Sequence, residues 1–213
     1  MNVQKSLKRA IETPAQLLVE GRTAEIFFRE LVEFLHLQSQ IEVRDFGDID
    51  SLTAYLETFT QLEKFIEKVT SLGIIRDAED KPAKSAFSSV CSSLKTVRIE
   101  PPENIGAVAQ NTLKIGVFIL PDCQNEGMLE TLCLRSVSDQ PASLACIDGY
   151  FDCLEKNGIA LPKNKAKART WTFLAAQNLS DPQVGRAAQA KIFPWNSDAF
   201  KPLREFISAL TQA

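Results

Sequence analysis

The fold is decided by the stretch LGIIRDAED, which runs from Leu72 to Asp80. It begins as a short apolar run and ends with three acidic residues among its last four. An apolar run of this length, followed after Pro82 by a helical pattern, predicts a buried β-strand over residues 72–76. The acidic residues then lie beyond the carboxyl end of that strand, which is where working groups gather in open α/β sheets.

Three further apolar runs predict strands over residues 16–19, 41–46 and 114–120. Segments with apolar residues at helical spacing separate these strands and fill the last third of the chain. Residues 98–113 contain prolines and no clear period, and they predict a long surface connection. The alternation predicts a single α/β domain: a central, mostly parallel sheet of about four strands, flanked by helices, with a helical C-terminal third.

The composition is that of an ordinary globular protein, with 213 residues, 45% apolar and 24% charged. A net charge of −3 argues against a wholly basic nucleic-acid coat but leaves a local basic patch open. The longest apolar stretch is far shorter than the ~20 residues of a membrane helix. The N-terminus shows no apolar signal region, so we expect a cytoplasmic protein with no membrane partner.

The sequence lacks the residues that several common catalytic and metal-binding sites require. The chain has one histidine, which nearly excludes a Ser-His-Asp triad and multi-histidine zinc sites. The sequence contains no P-loop and no G-x-G-x-x-G fingerprint. The five cysteines include no C-x-x-C pair, and four of them are predicted to be small core residues in a reducing compartment: Cys91, Cys133, Cys146 and Cys153.

Acidic residues follow three of the predicted strands. Glu20 follows the first strand, and Asp77 and Glu79 follow the third. If the first and third strands are neighbours, these three carboxylates meet, and their mutual repulsion requires a cation. Oxygen-only ligands favour Mg²⁺ or Mn²⁺. The same acids also suit solvated helix N-termini, so both interpretations stay open, whereas Asp122 after the fourth strand is predicted to be a turn former.

Two of these segments resemble the motifs of a known family. Residues 17–23, LLVEGRT, resemble the first motif of Toprim domains, and residues 74–80 resemble their second, an Asp-x-Asp. Over residues 14–210 the chain looks like a small Toprim-like group of bacterial proteins, similar to the Toprim nuclease part of OLD-type (overcoming lysogenisation defect) proteins. We therefore expect residues 1–13 to be an N-terminal leader and residues 14–213 to be a Toprim-like domain.

The resemblance implies a Mg²⁺-dependent (or Mn²⁺-dependent) site for phosphodiester chemistry. Glu20 matches the motif glutamate, a metal ligand or general acid/base, and Asp77 matches the first metal-binding aspartate. Glu79 matches the second, although Asp is typical there, so Glu79 and Asp80 stay alternatives. Glu130 matches a later acid that helps to hold a second metal ion in OLD-type nucleases.

One dense basic run also matches the family. It resembles the lysine-containing segment of OLD-type Toprim domains and is expected to bind nucleic acid, with Lys167 as a catalytic residue facing the phosphate; a solvated helix face is the alternative. The run consists of Lys163, Lys165, Lys167 and Arg169.

The sequence thus predicts a nuclease acting on DNA or RNA, or else a catalytically inactive module that binds nucleotide, nucleic acid or a protein. OLD-type nucleases carry an ATPase domain, so the partners to expect are nucleic acid, a separate ATPase or other protein, and a second copy of the chain.

Overall fold

A five-stranded, mostly parallel sheet forms the centre of the molecule in a computed structural model, which describes residues 2–212 apart from the side chains of Asn2, Val3 and Lys5. The strands are β1 (Ala15–Val19), β2 (Ile41–Asp45), β3 (Ser71–Asp77), β4 (Val108–Ala109) and β5 (Lys114–Leu120). Their order across the sheet is β2-β1-β3-β5-β4, and only β4 is antiparallel to its neighbour. The predicted α/β class is confirmed, and the four predicted strands are present.

Helices separate the strands and fill the C-terminal third, as predicted. They are α1 (Asn2–Lys8), α2 (Gly21–Phe34), α3 (Ile49–Phe59), α4 (Glu63–Lys68), α5 (Ala83–Thr96), α6 (Leu129–Ser136), α7 (Pro141–Lys156), α8 (Lys165–Ala175), α9 (Val184–Gln189) and α10 (Lys201–Ala209), with a 3₁₀ turn at Asp198–Phe200. No helix within residues 2–212 is long and apolar enough to span a bilayer.

The sheet is buried on both faces because successive side chains of a strand point to opposite sides. In β1, Leu17 and Val19 pack into one apolar core and Leu18 packs into the other. Helices α2, α6, α8, α9 and α10 cover the first face, and α3 and α5 cover the second. This arrangement leaves the carboxyl ends of β1 and β3 open for polar side chains.

Two details of the sequence prediction are wrong. The predicted surface connection over residues 98–113 contains β4, which was missed because two residues are too short to show a period. Cys146 and Cys153 are exposed on α7 rather than in the core, since Ile147 is the buried residue of that helix. Cys133 is buried as predicted.

The N-terminal segment is held by Arg44, a fully buried residue of β2. Its guanidinium donates hydrogen bonds to the backbone carbonyls of Ser6, Arg9 and Ala10 and to Gln16 Oε1. A buried guanidinium requires such partners because an unsatisfied donor is costly away from water. Residues 2–10 therefore pack against the sheet, while the domain boundary after residue 13 stays a prediction.

Two glycines let α10 approach the sheet. Gly73 of β3 and Gly116 of β5 are partners in the parallel register. A Cβ atom at Gly116 would lie 2.7 Å from Phe206 Cε2, and one at Gly73 would lie 2.6 Å from Leu210 Cδ1. These contacts are too short to be tolerated in a close-packed interior.

We predict that Gly116→Ala lowers the free energy of unfolding by about 1–3 kcal/mol, because the added methyl group overpacks the core under α10. Gly149→Ala is the matched control, since no atom lies within 4 Å of a Cβ there and the residue is in the interior of α7. That control should stabilise the protein by about 0.5–1 kcal/mol. Urea unfolding measures both, and equal effects of the two substitutions would contradict the packing account.

Candidate metal and phosphate site at the carboxyl edge of the sheet

The strand register brings the predicted acids to one edge of the sheet. Val19 of β1 is the partner of Ile75 in β3, so Glu20 and Asp77 follow at the same end of neighbouring parallel strands. Both side chains line one pocket of about 310 Å³, together with Glu79, Glu130 and Lys167. The adjacency of the first and third strands, on which the predicted site depends, is therefore present.

The turn after β1 is held by a carboxylate that the sequence analysis did not single out. Gly21 has a φ of +84°, a conformation that favours glycine, and this turns the chain from Glu20 into α2. Asp45, at the end of β2, accepts hydrogen bonds from Gly21 N at 3.0 Å and from Gly47 N at 2.7 Å through Oδ1. Its position as an acid at a strand end is the signal that could have identified it.

A backbone bridge connects the acidic loop after β3 to the loop that starts α6. Glu79 N donates to Gly127 O at 2.7 Å, and Gly127 N donates to Glu79 O at 2.8 Å. Next to this bridge, Asp77 Oδ1 accepts a hydrogen bond from Leu129 N at 3.0 Å, at the first residue of α6. These contacts bring Glu130, a buried residue of the first turn of α6, beside Asp77.

Glu79 and Asp80, the two alternatives for the second acid of the motif, differ in their position. Glu79 has a φ of +60°, which is unusual for a residue with a Cβ, and it lines the pocket. Both side chains are exposed, but Asp80 is not part of the pocket wall. The geometry therefore favours Glu79 as the acid that can reach the site.

Burial and mutual repulsion raise the pKa values of two acids of the pocket, Asp77 and Glu20. Burial, and after it the charges of Glu130 and Glu20, raise the pKa of Asp77 to about 8. Burial also raises the pKa of Glu20, and the nearby Arg76 guanidinium partly offsets this effect. A carboxyl that is held away from its ordinary pKa in a cleft is typical of a functional site.

The pocket offers the type of ligand that a hard divalent cation prefers, which is the carboxylate oxygen. These oxygens belong to Glu20, Asp77, Glu79 and Glu130. Their present positions are spread along the pocket wall. Within the described part of the chain, no three His, Cys, Asp or Glu side chains are grouped closely enough to hold a metal ion. Metal binding therefore requires side-chain rotation toward a common centre.

Only part of the basic run faces the pocket. Lys167 lines it from the first turn of α8, where Asn164 Oδ1 caps the helix by accepting from Lys167 N at 2.9 Å. The Lys167 ammonium lies 5.7 Å from the ring centroid of Trp171. Lys165 and Arg169 instead pair with Glu155 and Asp148 of α7, respectively, and Lys163 is exposed on the preceding loop.

Arg76 is a second cation of the pocket, and the sequence analysis did not single it out. It is 9% exposed, and its Nε lies 3.9 Å from Glu20 Oε2. The Nε is buried and has no hydrogen-bond partner. Buried donors normally have partners, and the Glu20 carboxylate lies just beyond hydrogen-bond distance of this group.

Asp122 forms a turn, as predicted. Its carboxylate accepts from the backbone N–H groups of Gln124 and Asn125 and from the Arg135 guanidinium. Burial alone would raise the pKa of Asp122, but these hydrogen bonds outweigh it and lower the pKa to about 2. The residue closes the loop between β5 and α6 and is not part of the pocket wall.

The fold and pocket together define a class: an α/β protein with an acidic cleft at the carboxyl edge of a mostly parallel sheet. A family model described as "Protein of unknown function (DUF3226)" matches residues 14–212, and the chain belongs to this family. No protein of curated function matches.

Among solved structures, the chain is similar to the C-terminal region of two OLD proteins, as the sequence resemblance predicted. For that of Xanthomonas campestris pv. campestris the TM-score is 0.46 at 17% identity, covering 94% of this chain and 97% of that chain. For that of Burkholderia pseudomallei the TM-score is 0.48 at 11% identity, covering 95% of this chain and 100% of that chain. At such low scores the chemistry of the pocket has to be derived from its own residues.

We predict that Asp77→Asn raises the free energy of unfolding in the presence of a chelator by about 1–2 kcal/mol. The substitution removes a carboxyl group whose ionisation is opposed by burial and by the charges of Glu130 and Glu20, and the amide oxygen can still accept from Leu129 N. The folded-state pKa of Asp77 is raised, so wild-type stability falls as the pH rises toward about 8, and the gain in the variant is largest above that pH.

The control for this experiment is Asp80→Asn, which removes the same charge from an exposed position and should change stability by less than about 0.5 kcal/mol. Urea unfolding of the three proteins gives the comparison. A destabilised Asp77→Asn protein would contradict the repulsion described for the pocket.

Proposed function

We propose that this protein is a Toprim-like, Mg²⁺-dependent or Mn²⁺-dependent phosphodiester-processing enzyme, a nuclease acting on DNA or RNA. One observation carries the proposal: Asp77 lies beside the charges of Glu20 and Glu130 in a pocket that is also lined by three cationic side chains, those of Arg22, Arg76 and Lys167. Metal-assisted phosphoryl transfer needs carboxylates that can bind a cation and positively charged side chains that can attract a phosphate. This pocket contains both kinds of group.

The acidic wall supplies the metal ligands in this proposal. Asp77 is the central ligand, and Glu20, Glu79 and Glu130 provide the remaining carboxylate oxygens. A bound Mg²⁺ or Mn²⁺ would supply Lewis-acid polarisation of the phosphate. Glu20 serves in addition as the general acid/base, because burial keeps its pKa above the ordinary value and so nearer to neutral pH.

The basic wall orients the phosphate. Lys167 faces the pocket from α8, and Arg76 reaches it from β3 with an unpartnered Nε. A guanidinium donates in a fixed planar fork that matches phosphate oxygens, whereas an ammonium acts as a point charge. In the proposal Arg76 orients the phosphate and Lys167 stabilises the charge that develops on it.

A catalytically inactive module that binds nucleotide, nucleic acid or a protein partner is the second candidate. The position of Arg76 favours it, since a guanidinium 3.9 Å from Glu20 neutralises a carboxylate that a metal ion would otherwise use. The spread of the acids along the pocket wall is also what a module without metal would have. Metal titration and cleavage assays separate the two candidates.

The first prediction from this proposal is thermal stabilisation by the metal. Mn²⁺ at about 100 times its dissociation constant should raise the melting temperature of the wild type by roughly 5–10 °C, because a ligand of the folded state stabilises by mass action. Asp77→Asn should lose most of this response. Differential scanning calorimetry with and without Mn²⁺ makes the measurement.

Glu79→Gln and Asp80→Asn are a matched pair within this experiment. The first substitution should weaken the metal response and the second should preserve it, because only Glu79 lines the pocket. An identical Mn²⁺ response in wild type and Asp77→Asn would eliminate the metal site.

A second prediction concerns cleavage. Wild-type protein with Mn²⁺ should nick supercoiled plasmid, and Lys167→Ala should reduce the rate by about 10²-fold or more while keeping the thermal response to the metal. Lys163→Ala is the control, since Lys163 is exposed and is not part of the pocket wall. Gel analysis of nicked and linear plasmid gives the rates.

Metal binding without nicking by the wild type would favour the inactive module. An unchanged rate in Lys167→Ala would remove Lys167 from the proposed machinery while leaving the acidic site standing.

A further inference from the structure

A second pocket lies beside the acidic one and carries the opposite charge. It has a volume of about 550 Å³, and its described lining includes Lys8, Arg9, Arg22 and Arg29. Two carboxylates, Glu25 and Asp45, complete the charged part of the lining (we call this pocket the basic groove). Arg22 lines the basic groove and the acidic pocket alike, so the two adjoin at this residue.

Glu25 organises the arginines of the groove. Its side chain is 5% exposed, and its two carboxylate oxygens contact the guanidinium groups of Arg9, Arg22 and Arg29. One negative charge cannot neutralise three positive ones, and each guanidinium has five N–H donors. Arg22 and Arg29 are 54% and 44% exposed, so many of their donors face solvent.

The remaining carboxylates near the groove are committed elsewhere. Asp45 Oδ1 accepts from two backbone N–H groups, and Glu42 pairs with Arg9 and with the buried Arg44. Lys8 is exposed and adds a further positive charge. The groove therefore keeps surplus positive charge at Lys8, Arg22 and Arg29.

The spacing along α2 suits an extended anion. Arg22 and Arg29 are seven residues apart, which places them on one face of the helix about 10 Å apart along its axis. Arginine forks bind phosphate oxygens in a bidentate manner, and two such forks on one line match successive phosphates of a strand better than a single small anion.

We infer that the basic groove binds the sugar-phosphate backbone of a nucleic-acid strand and directs it past Arg22 into the acidic pocket. The choice of a nucleic acid rests on the proposed function, whereas the surplus charge and the position of Arg22 between the two pockets do not. The groove takes over most of the backbone binding that the sequence assigned to residues 163–169, where Lys165 and Arg169 are paired with acids of α7.

The test is fluorescence anisotropy of a short labelled single-stranded oligodeoxynucleotide with the full chain in EDTA. The variant is Lys8→Gln/Arg29→Gln, because both residues line the groove and neither lines the acidic pocket. Binding at low salt should weaken roughly tenfold, and the slope of log K against log salt should decrease by about 1.4, or about 0.7 for each lost phosphate contact.

The matched control is Lys84→Gln/Lys95→Gln, which removes the same charge from exposed positions of α5 on the opposite face of the sheet. Its affinity in about 0.1 M salt should stay within about twofold of the wild type, since surface charges more than a Debye length from the contact are screened there. If Arg29→Gln disturbs folding, the single variant Lys8→Gln should still reduce the slope by about 0.7.

Three results would overturn the inference: no binding by the wild type at low salt, an equal loss in the control, and displacement of the oligonucleotide by inorganic tripolyphosphate at equal phosphate concentration. The last would make the groove a small-anion site. Because the assay contains no divalent cation and changes no residue of the acidic pocket, its failure is distinguishable from a failure of the proposed metal site.

Discussion

The pairing of β1 with β3 is the constraint on which the candidate site depends. Parallel neighbours end at the same edge of a sheet, so Glu20 and Asp77 have to lie close to each other although 57 positions separate them in the chain. The bridge between Glu79 and Gly127 then draws the start of α6, with Glu130, to the same edge. The resulting concentration of acid is unfavourable for the folded chain by itself, and burial intensifies it at Asp77. Clusters that cost stability in this way are common at functional sites.

The charge of the molecule is arranged in two adjoining areas of opposite sign. Carboxylates line the pocket at the sheet edge, and arginines gathered by Glu25 line the groove next to it. Arg22 belongs to both, and Arg76 lies inside the acidic area. An overall charge of −3 conceals this separation, so the composition argued only against a wholly basic nucleic-acid coat and left a local basic patch open. Local charge rather than net charge decides what such a surface can bind.

The sequence predicted those features that depend on residues close together in the chain. Short apolar runs predicted the four long strands, and the acid after each of two neighbouring strands predicted the position of Glu20 and Asp77. The roles of Arg76 and Glu25 could not be predicted, because each depends on contacts between elements far apart in the chain. The same reason explains the basic run: Lys165 and Arg169 look available in the sequence, but α7 supplies acids that pair with them. The two-residue β4 is below the length at which any period is visible.

The most direct test of the metal site is a crystal structure of the wild-type protein grown with Mn²⁺, with anomalous diffraction recorded at the manganese edge. The account predicts a manganese peak in the acidic pocket that is coordinated by Asp77 and Glu20, with Arg76 displaced from Glu20. A pocket without an anomalous peak at saturating Mn²⁺, in which Arg76 still lies beside Glu20, would contradict it.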